Sequence, residues 1–231
     1  RESFCRNQNQ EKRVMGRQIK QHIPGVLALE RKKWVCDATK ALIRSTFSPF
    51  YRLETRGSEY LPRGKAFLMQ PKHQCWQDIP LIAVATPRPL YYVAKHELFE
   101  NPIISRLLKF QGGIPLNRQK PLKSRDAIRA MIHFLKEGEG VVVFPEGTYY
   151  PGRMGPGKRG ILKLIMSRLA LPLIPVGFRY RKEGLRTRVT VSFGKPVYHG
   201  KQTSSDETFD QLMETIAQLS GLKTQNKETN A

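Results

Sequence analysis

The sequence predicts an α/β domain, in which helices cover a mixed, largely parallel sheet, preceded by an amphipathic helix. Short apolar runs typical of strands alternate with helical stretches between residues 50 and 220. The chain has 231 residues, a length that suits one domain with appendages, and 39% of them are hydrophobic, which is enough for a packed core. We expect a polar tail and helix over 1–50, the domain over 51–221 and a second polar tail over 222–231.

The first predicted helix spans residues 26–47 and follows a polar, basic stretch. One arc of this helix is apolar, and its members are Leu27, Trp34, Val35, Ala38, Ala41 and Leu42. Basic side chains occupy the opposite side, namely Lys33, Lys40 and Arg44. Arg31 interrupts the arc, and Ile43 and Phe47 lie off it, so the helix is amphipathic but irregular.

The first half of the domain predicts three strands and two helices. Strands over 52–56 and 65–70 flank a turn that contains Pro62 and Gly64. A helix over 78–85, a strand over 90–94 and a short helix over 103–110 follow.

The second half has the clearest periodicity. Ile128, Met131, Ile132 and Leu135 recur at i, i+3, i+4 and i+7, as on one face of a helix. The wholly apolar run 141–144 is typical of a buried strand. The remaining predicted elements are a helix over 158–170, strands over 173–178 and 187–193, and a helix over 209–219.

Charge is strongly unbalanced, because 40 Lys and Arg against 19 Asp and Glu give a formal net charge of +21. Such a surface attracts polyanions, which include nucleic acid, anionic lipid and phosphorylated substrates. A basic nucleic-acid-binding module has only this charge in its favour, since the chain has no recognisable reader motif and few aromatics among its basic runs.

Cysteine usage and hydropathy indicate the compartment. The three cysteines, Cys5, Cys36 and Cys75, lack paired metal-ligand spacing, which disfavours a disulfide framework or zinc finger and favours a reduced compartment. The most apolar stretch, 161–178, is interrupted by two charges and two prolines, so we expect no membrane-spanning helix. The chain is expected to lie on the cytoplasmic face of a membrane as a peripheral protein.

His73 and Asp78 are the first candidate for chemistry. A strand delivers His73 into a loop, and Asp78 stands where a helix begins, so the carboxylate can reach back to one ring nitrogen. The other nitrogen would then be a general base. Taken alone, the spacing more often means a helix-start carboxylate beside an ordinary loop histidine. Cys75 leaves a second alternative open, a cysteine nucleophile.

Other segments suit the binding of an oxygen-rich substrate. The buried strand 141–144 ends in Glu146, Gly147 and Thr148, and open α/β sheets bind ligands at the ends of their strands. Arg118 follows a short extended run, and its planar guanidinium suits a phosphate. Lys158 lies where a helix should start, which is a second anion site.

Taken in order, these segments resemble the 1-acyl-glycerol-3-phosphate acyltransferase family over residues 50–200. His73 and Asp78 fit its H-x-x-x-x-D block, and Arg118 fits the arginine of its second block. Residues 144–148 fit the start of its F-P-E-G-T-R-S block, and 174–176 fit its V-P-V-like stretch. Five positions depart from the family's pattern. Asn117, Tyr149 and Tyr150 replace an aspartate, an arginine and a serine, Pro115 replaces a common apolar residue, and Gly157 replaces a common phenylalanine.

The resemblance implies an acyl transfer that needs no metal or tightly bound cofactor. The donor would be acyl-CoA or acyl-carrier protein, and the acceptor the sn-2 hydroxyl of 1-acyl-glycerol 3-phosphate. His73 would be the base, oriented by Asp78. The implied substrate-binding residues are Arg118, Glu146, Gly147, Thr148 and Lys158. Glycerol 3-phosphate or a lyso-aminolipid is the alternative acceptor, and an anionic membrane surface is the expected partner rather than nucleic acid.

Overall fold

A seven-stranded mixed sheet forms the centre of the molecule. The computed structural model describes residues 31–117, 121–200 and 203–223. The strands are β1 (Tyr51–Arg56), β2 (Phe67–Pro71), β3 (Tyr91–Lys95), β4 (Gly113–Leu116), β5 (Gly140–Val142), β6 (Leu173–Glu183) and β7 (Arg186–Phe193). Their order is β1-β7-β6-β2-β5-β3-β4, and every neighbouring pair is parallel except the β6–β7 pair. The predicted fold class is therefore confirmed.

Six α-helices and two short 3-10 helices, Ser58–Tyr60 and His96–Phe99, are present in the described residues. The α-helices are α1 (Lys33–Phe47), α2 (Asp78–Ala85), α3 (Pro102–Phe110), α4 (Pro121–Lys136), α5 (Arg159–Met166) and α6 (Ser205–Ser220). Local signals fix two of the helix starts. The Asn101 side chain accepts from the first free amides of α3, and Ser204 with Glu207 forms a capping box on α6.

Alternating side chains give the sheet an apolar core on each face. On one face, Leu68 of β2 and Val141 of β5 belong to a cluster that includes apolar residues of α4, α5 and α6. On the other face, Phe67 and Met69 of β2 pack with apolar residues of α2, β6 and β7. The helices thus form a layer on each side of the sheet.

The pairing of β2 with its neighbours and the length of β6 decide which loops lie next to each other. β2 and β5 are parallel neighbours, so the loops that follow them lie at the same edge of the sheet. β6 is parallel to β2 on its other side, where Pro71 pairs with Val176. Because β6 continues to Glu183, it extends beyond the end of β2, alongside the loop that follows Pro71.

The structure corrects several predicted boundaries. α1 starts at Lys33, since Lys32 is extended, and residues 26–30 lie outside the described residues. α5 ends at Met166 rather than at 170, and the chain leaves it through a tighter turn in which the amide of Arg168 donates to the carbonyl of Ile165 at 3.0 Å. β6 runs past the predicted end at 178, because it forms a hairpin with β7 around Gly184, whose φ is +57°.

Only part of the predicted apolar arc of α1 is buried. Val35 and Cys36 are buried, and α1 packs against α2. Trp34 is 70% exposed and Leu42 is 64% exposed. The guanidinium of Arg31 donates to both oxygens of Glu139, at 3.0 and 3.3 Å, and lies over the ring of Tyr91, 4.6 Å from its centroid. No helix within the described ranges is long and apolar enough to cross a bilayer.

Candidate active site

His73 and Asp78 lie in contact just beyond the carboxyl-terminal end of β2, a central strand of the sheet. The amide of Lys72 still donates to the carbonyl of Val176 in β6, at 2.8 Å, before the chain turns away. The next residue, His73, then places its Nδ1 atom 3.1 Å from Oδ2 of Asp78, the first residue of α2. Asp78 is fully buried and His73 is 8% exposed, so the histidine is the member of the pair nearer to solvent.

The Asp78 carboxylate accepts several hydrogen bonds. Its Oδ2 atom accepts from the amides of Gln74, at 2.6 Å, and Cys75, at 2.9 Å. Its Oδ1 atom accepts from the hydroxyl of Tyr180 at 2.5 Å. Donors on both oxygens stabilise the ionised carboxylate and fix its orientation. An ionised Asp78 favours the His73 tautomer with its proton on Nδ1, which leaves Nε2 able to take a proton.

Two aromatic rings hold the imidazole. Phe144 stacks on it with ring centroids 3.9 Å apart, and Tyr149 meets it edge-on at 4.3 Å. Both come from the loop after β5, the parallel neighbour of β2, so the sheet itself brings the two segments together. The sequence placed Tyr149 only as a departure from a motif, whereas the structure places it against the candidate base.

Glu146 forms a buried ion pair with Lys72. The ammonium of Lys72 lies 2.9 and 2.8 Å from the two carboxylate oxygens, and both side chains are fully buried. Glu146 also accepts from the amide of His73 at 2.9 Å and from that of Gly155 at 2.6 Å. This carboxylate therefore joins the loop after β2 to the loop after β5. Its contacts favour a role in holding His73 over the predicted contact with substrate.

Lys72 is a residue that the sequence analysis did not single out. Its Nζ also donates to the carbonyls of His73, at 3.1 Å, and Tyr150, at 3.0 Å. Burial lowers the pKa of the Lys72 ammonium, and its contact with Glu146 opposes that shift. The burial of Lys72 could not be predicted, because its partner Glu146 is 74 positions away and no local pattern marks a lysine beside a histidine as buried.

Cys75 is poorly suited to act as a nucleophile. Its sulfur lies 3.3 Å from the Tyr180 hydroxyl and 3.6 Å from Oδ1 of Asp78. Burial raises the pKa of the Cys75 thiol, and the nearby Asp78 charge acts in the same direction. A protonated thiol is a weak nucleophile, so the structure favours the histidine base over the cysteine alternative.

A largely apolar cavity of about 430 Å³ lies beside the pair. Phe144, which stacks on His73, is part of its wall. The apolar lining also includes Val93, Leu116, Ile128, Val143, Ile161 and Leu164. Gln70, Ser124 and Lys158 are the polar side chains in the lining.

The remaining predicted residues are placed as follows. Gly147 is buried, lines the cavity and has a φ of +71°, a conformation that favours glycine. Lys158 is exposed at the cavity, and its amide donates to the carbonyl of Pro145 at 2.8 Å. Thr148 is exposed in the same loop as Gly147. Arg118 lies outside the described residues. No group of three or more His, Cys, Asp or Glu side chains in the described ranges forms a metal-ligand cluster.

Comparisons with known proteins place this arrangement in a family. The family model described as Acyltransferase matches residues 52–179. The 1-acyl-sn-glycerol-3-phosphate acyltransferase of Bacillus subtilis is 32% identical over 145 residues, which cover 61% of this chain and 71% of that protein. The chloroplastic enzyme BAT2 of Brassica napus is 28% identical over 180 residues, 73% of this chain and 52% of BAT2, so the chain spans about half the length of that relative.

A solved structure supports the same assignment. The crystal structure of the 1-acyl-sn-glycerophosphate acyltransferase PlsC from Thermotoga maritima superimposes with a TM-score of 0.67 and 25% sequence identity. The similarity covers 80% of this chain and 78% of PlsC. The region matched by the family model contains the His73–Asp78 pair and the loop with Glu146. The resemblance predicted from the ordered motifs is confirmed, and the chain belongs to the acyltransferase family.

Proposed function

We propose that the protein transfers a fatty acyl chain from a thioester donor to the sn-2 hydroxyl of 1-acyl-glycerol 3-phosphate, giving phosphatidic acid for phospholipid synthesis. The observation that carries this proposal is the buried His73–Asp78 contact at 3.1 Å beside a largely apolar cavity. Membership of the acyltransferase family and the names of the three similar proteins support the choice of reaction.

The chemistry is a single direct transfer. Nε2 of His73 takes the proton of the acceptor hydroxyl as its oxygen attacks the carbonyl carbon of the thioester. The carbon–sulfur bond breaks, and the proton passes from the imidazolium to the leaving thiolate. Asp78 stabilises the imidazolium while it exists, and general-base assistance of this kind contributes about 100- to 10,000-fold. The chain's own residues suffice for this step, with no metal or cofactor.

The cavity suits an alkyl chain. Apolar side chains such as Leu116, Ile128 and Ile161 line it, and burial of methylene groups contributes about 0.8 kcal/mol each. Phe144 contacts both the imidazole and the cavity, which puts one end of the cavity beside the candidate base. We assign the cavity to a fatty acyl chain and place the reacting thioester beside His73.

The phosphate of the acceptor is assigned to Arg118 and Lys158, and Gly147 and Thr148 complete its glycerol site. Lys158 supports this assignment through its position at the cavity, and Arg118 through its match to the second family block. We expect Arg118→Ala to raise the KM of the acceptor about ten- to a hundredfold, because a charge-assisted contact to phosphate is lost. The KM of the donor should stay within twofold, as steady-state kinetics with each substrate varied will measure.

Arg63→Ala is the matched control, since it removes the same charge from an exposed residue in the connection before β2. An equal rise in both KM values, or the same rise in the Arg63 variant, would remove Arg118 from the acceptor site.

We further propose that the protein docks on the cytoplasmic face of an anionic membrane as a peripheral protein. Exposed Trp34 and Leu42 on α1 provide an apolar surface, and the net charge of +21 favours anionic headgroups. Among the cations of α1, Lys33 pairs with Asp37 at 2.6 Å and Lys40 donates to the carbonyl of Thr86 at 2.9 Å. Arg44, the third cation that the sequence predicts on this side of α1, is exposed, so α1 offers both apolar side chains and a cation to a membrane surface.

The double variant Trp34→Ser/Leu42→Ser should bind liposomes containing phosphatidylglycerol at least about tenfold more weakly, because two apolar side chains no longer enter the bilayer. Co-sedimentation measures this affinity. Leu185→Ser is the control, since Leu185 is fully exposed in the β6–β7 turn. Transfer to a dispersed short-chain acceptor should be unchanged in both variants. Undiminished liposome binding by the double variant would place the membrane surface elsewhere.

The structure favours one specific alternative to phosphate as the head group of the acceptor. Tyr149, where the family's pattern has arginine, lies against His73 and is 48% exposed, so one cationic contact for a phosphate is replaced by an aromatic ring. This favours a lyso-aminolipid as the second candidate acceptor. Incubation with labelled acyl-CoA or acyl-carrier protein and a panel of 1-acyl-glycerol 3-phosphate, glycerol 3-phosphate and lyso-ornithine lipid decides between them. Labelled phosphatidic acid as the main product supports the proposal, and a different main product replaces it.

A further inference from the structure

The Tyr180 hydroxyl lies 2.5 Å from Oδ1 of Asp78 and makes the shortest hydrogen bond of that carboxylate in the described residues. An ionised carboxylate has no proton to donate, so the phenol must be the donor. Burial raises the pKa of Tyr180, and the neighbouring Asp78 charge acts in the same direction, so the phenol keeps its proton. The Cys75 thiol, 3.3 Å away, is placed to donate to the phenol oxygen.

The fold explains why a residue 102 positions away reaches Asp78. β6 extends beyond the end of β2, and the loop after β2 lies against this extension. The side-chain amide of Gln74 donates to the carbonyl of Phe178 at 2.8 Å, and Tyr180 lies two residues farther along the same strand. Phe178 and Tyr180 point to the same face, as alternate strand residues do, and their rings are stacked with centroids 6.3 Å apart.

The two oxygens of Asp78 have separate roles in this arrangement. Oδ2 faces the imidazole and the amides of Gln74 and Cys75. Oδ1 faces Tyr180, and the second donor near it in the described residues is the weakly donating thiol of Cys75, at 3.6 Å. Without the phenol, Oδ1 would lose its strongest donor while the amides of Gln74 and Cys75 still hold Oδ2, so the carboxylate would present more of its negative charge to the imidazole.

We propose that Tyr180 is a positioning residue of the acyl transfer, which fixes Asp78 and moderates the charge that Asp78 presents to His73. This inference rests on the proposed function, in which His73 must be neutral to take a proton. A donor on Oδ1 withdraws negative charge from the carboxylate, so the imidazolium is stabilised less and the neutral base persists to lower pH.

Tyr180→Phe keeps the ring and removes the donor. The kcat should fall about tenfold, as for other outer partners of catalytic side chains, with both KM values unchanged. The midpoint of the acid limb of the kcat/KM profile should move to higher pH. Asp78→Asn should move the same limb to lower pH, because the charge that stabilises the imidazolium is gone. Opposite shifts from two neighbouring substitutions would not result from a general loss of structure.

The other titratable groups near the pair are Cys75, Tyr149 and the Lys72–Glu146 ion pair, and all of them remain in Tyr180→Phe. Tyr92→Phe is the matched control, because Tyr92 lies on β3 and its hydroxyl bonds to Thr86. It should leave kcat and the acid limb unchanged. A fall in kcat with an unmoved acid limb in Tyr180→Phe would indicate a merely structural tyrosine and overturn the proposal, as would no change at all.

If Tyr180→Phe does not fold, 3,5-difluorotyrosine at position 180 supplies a stronger donor of nearly the same shape. It should move the acid limb to lower pH, and an unmoved limb would again overturn the proposal. Titration of the His73 ring by NMR should shift in the same directions without any substrate. Failure of the wild-type protein to acylate lysophosphatidic acid would therefore refute the proposed function while leaving this inference open to test.

Discussion

His73→Ala should lower the rate of acyl transfer by about 100- to 10,000-fold, because the variant has no base to accept the proton of the acceptor hydroxyl. His73 is 8% exposed and belongs to neither apolar cluster of the core, although Phe144 of one cluster stacks on its ring. Thermal stability and liposome binding should therefore stay close to those of the wild type. Initial rates with labelled acyl-CoA, measured beside a melting curve, test both parts.

His133→Ala is the control for this substitution, since His133 lies on α4, away from the Asp78 carboxylate. It should retain the wild-type rate. Near-normal transfer by a folded His73→Ala protein would refute the mechanism, whichever acceptor is used.

The largest effect on stability is expected at the buried Lys72–Glu146 pair. Glu146→Gln leaves the ammonium of Lys72 buried without a counter-charge, and loss of one partner of a buried ion pair costs about 3–5 kcal/mol. The amide of His73 also loses part of its acceptor, so the loop that holds the base should loosen. Chemical denaturation should show a lower free energy of unfolding, and kcat should fall with it.

The double variant Lys72→Met/Glu146→Leu separates charge from packing. It removes both charges, so its loss of stability should be smaller than the sum of the losses in Lys72→Met and Glu146→Leu. Asp206→Asn breaks the exposed Arg159–Asp206 pair and should change stability little, because exposed pairs are screened by solvent. Full stability of Glu146→Gln would show that the buried pair does not hold the two loops together.

The sequence predicted what depends on local pattern. Apolar periodicity was enough to predict α4. The uniformly apolar run 141–144 was enough to indicate a buried strand, and the structure has β5 over 140–142. The His73–Asp78 pair could be predicted because the two residues are five positions apart and the ordered motifs of the chain resemble those of a known family.

Contacts between residues that are far apart in the sequence could not be predicted in the same way. Nothing local distinguishes Lys72 as a buried ammonium, because its partner Glu146 is brought to it by the parallel pairing of β2 with β5. Tyr180 was missed because the strand was predicted to end at 178, and alternation beyond that point is hidden among basic residues that face solvent in the β6–β7 hairpin. The burial of Cys36 on α1 could not be predicted from the helix alone, since α2, its packing partner, lies elsewhere in the chain.

A single-turnover experiment tests the central claim, a direct transfer with His73 as base, most directly. The protein is mixed with labelled acyl-CoA and 1-acyl-glycerol 3-phosphate and quenched at intervals, and free CoA, labelled phosphatidic acid and labelled protein are measured. Direct transfer predicts that CoA and phosphatidic acid appear together at one rate, with no label on the protein and no CoA released when the acceptor is left out. A burst of CoA with acyl label on Cys75 before any phosphatidic acid forms would contradict it.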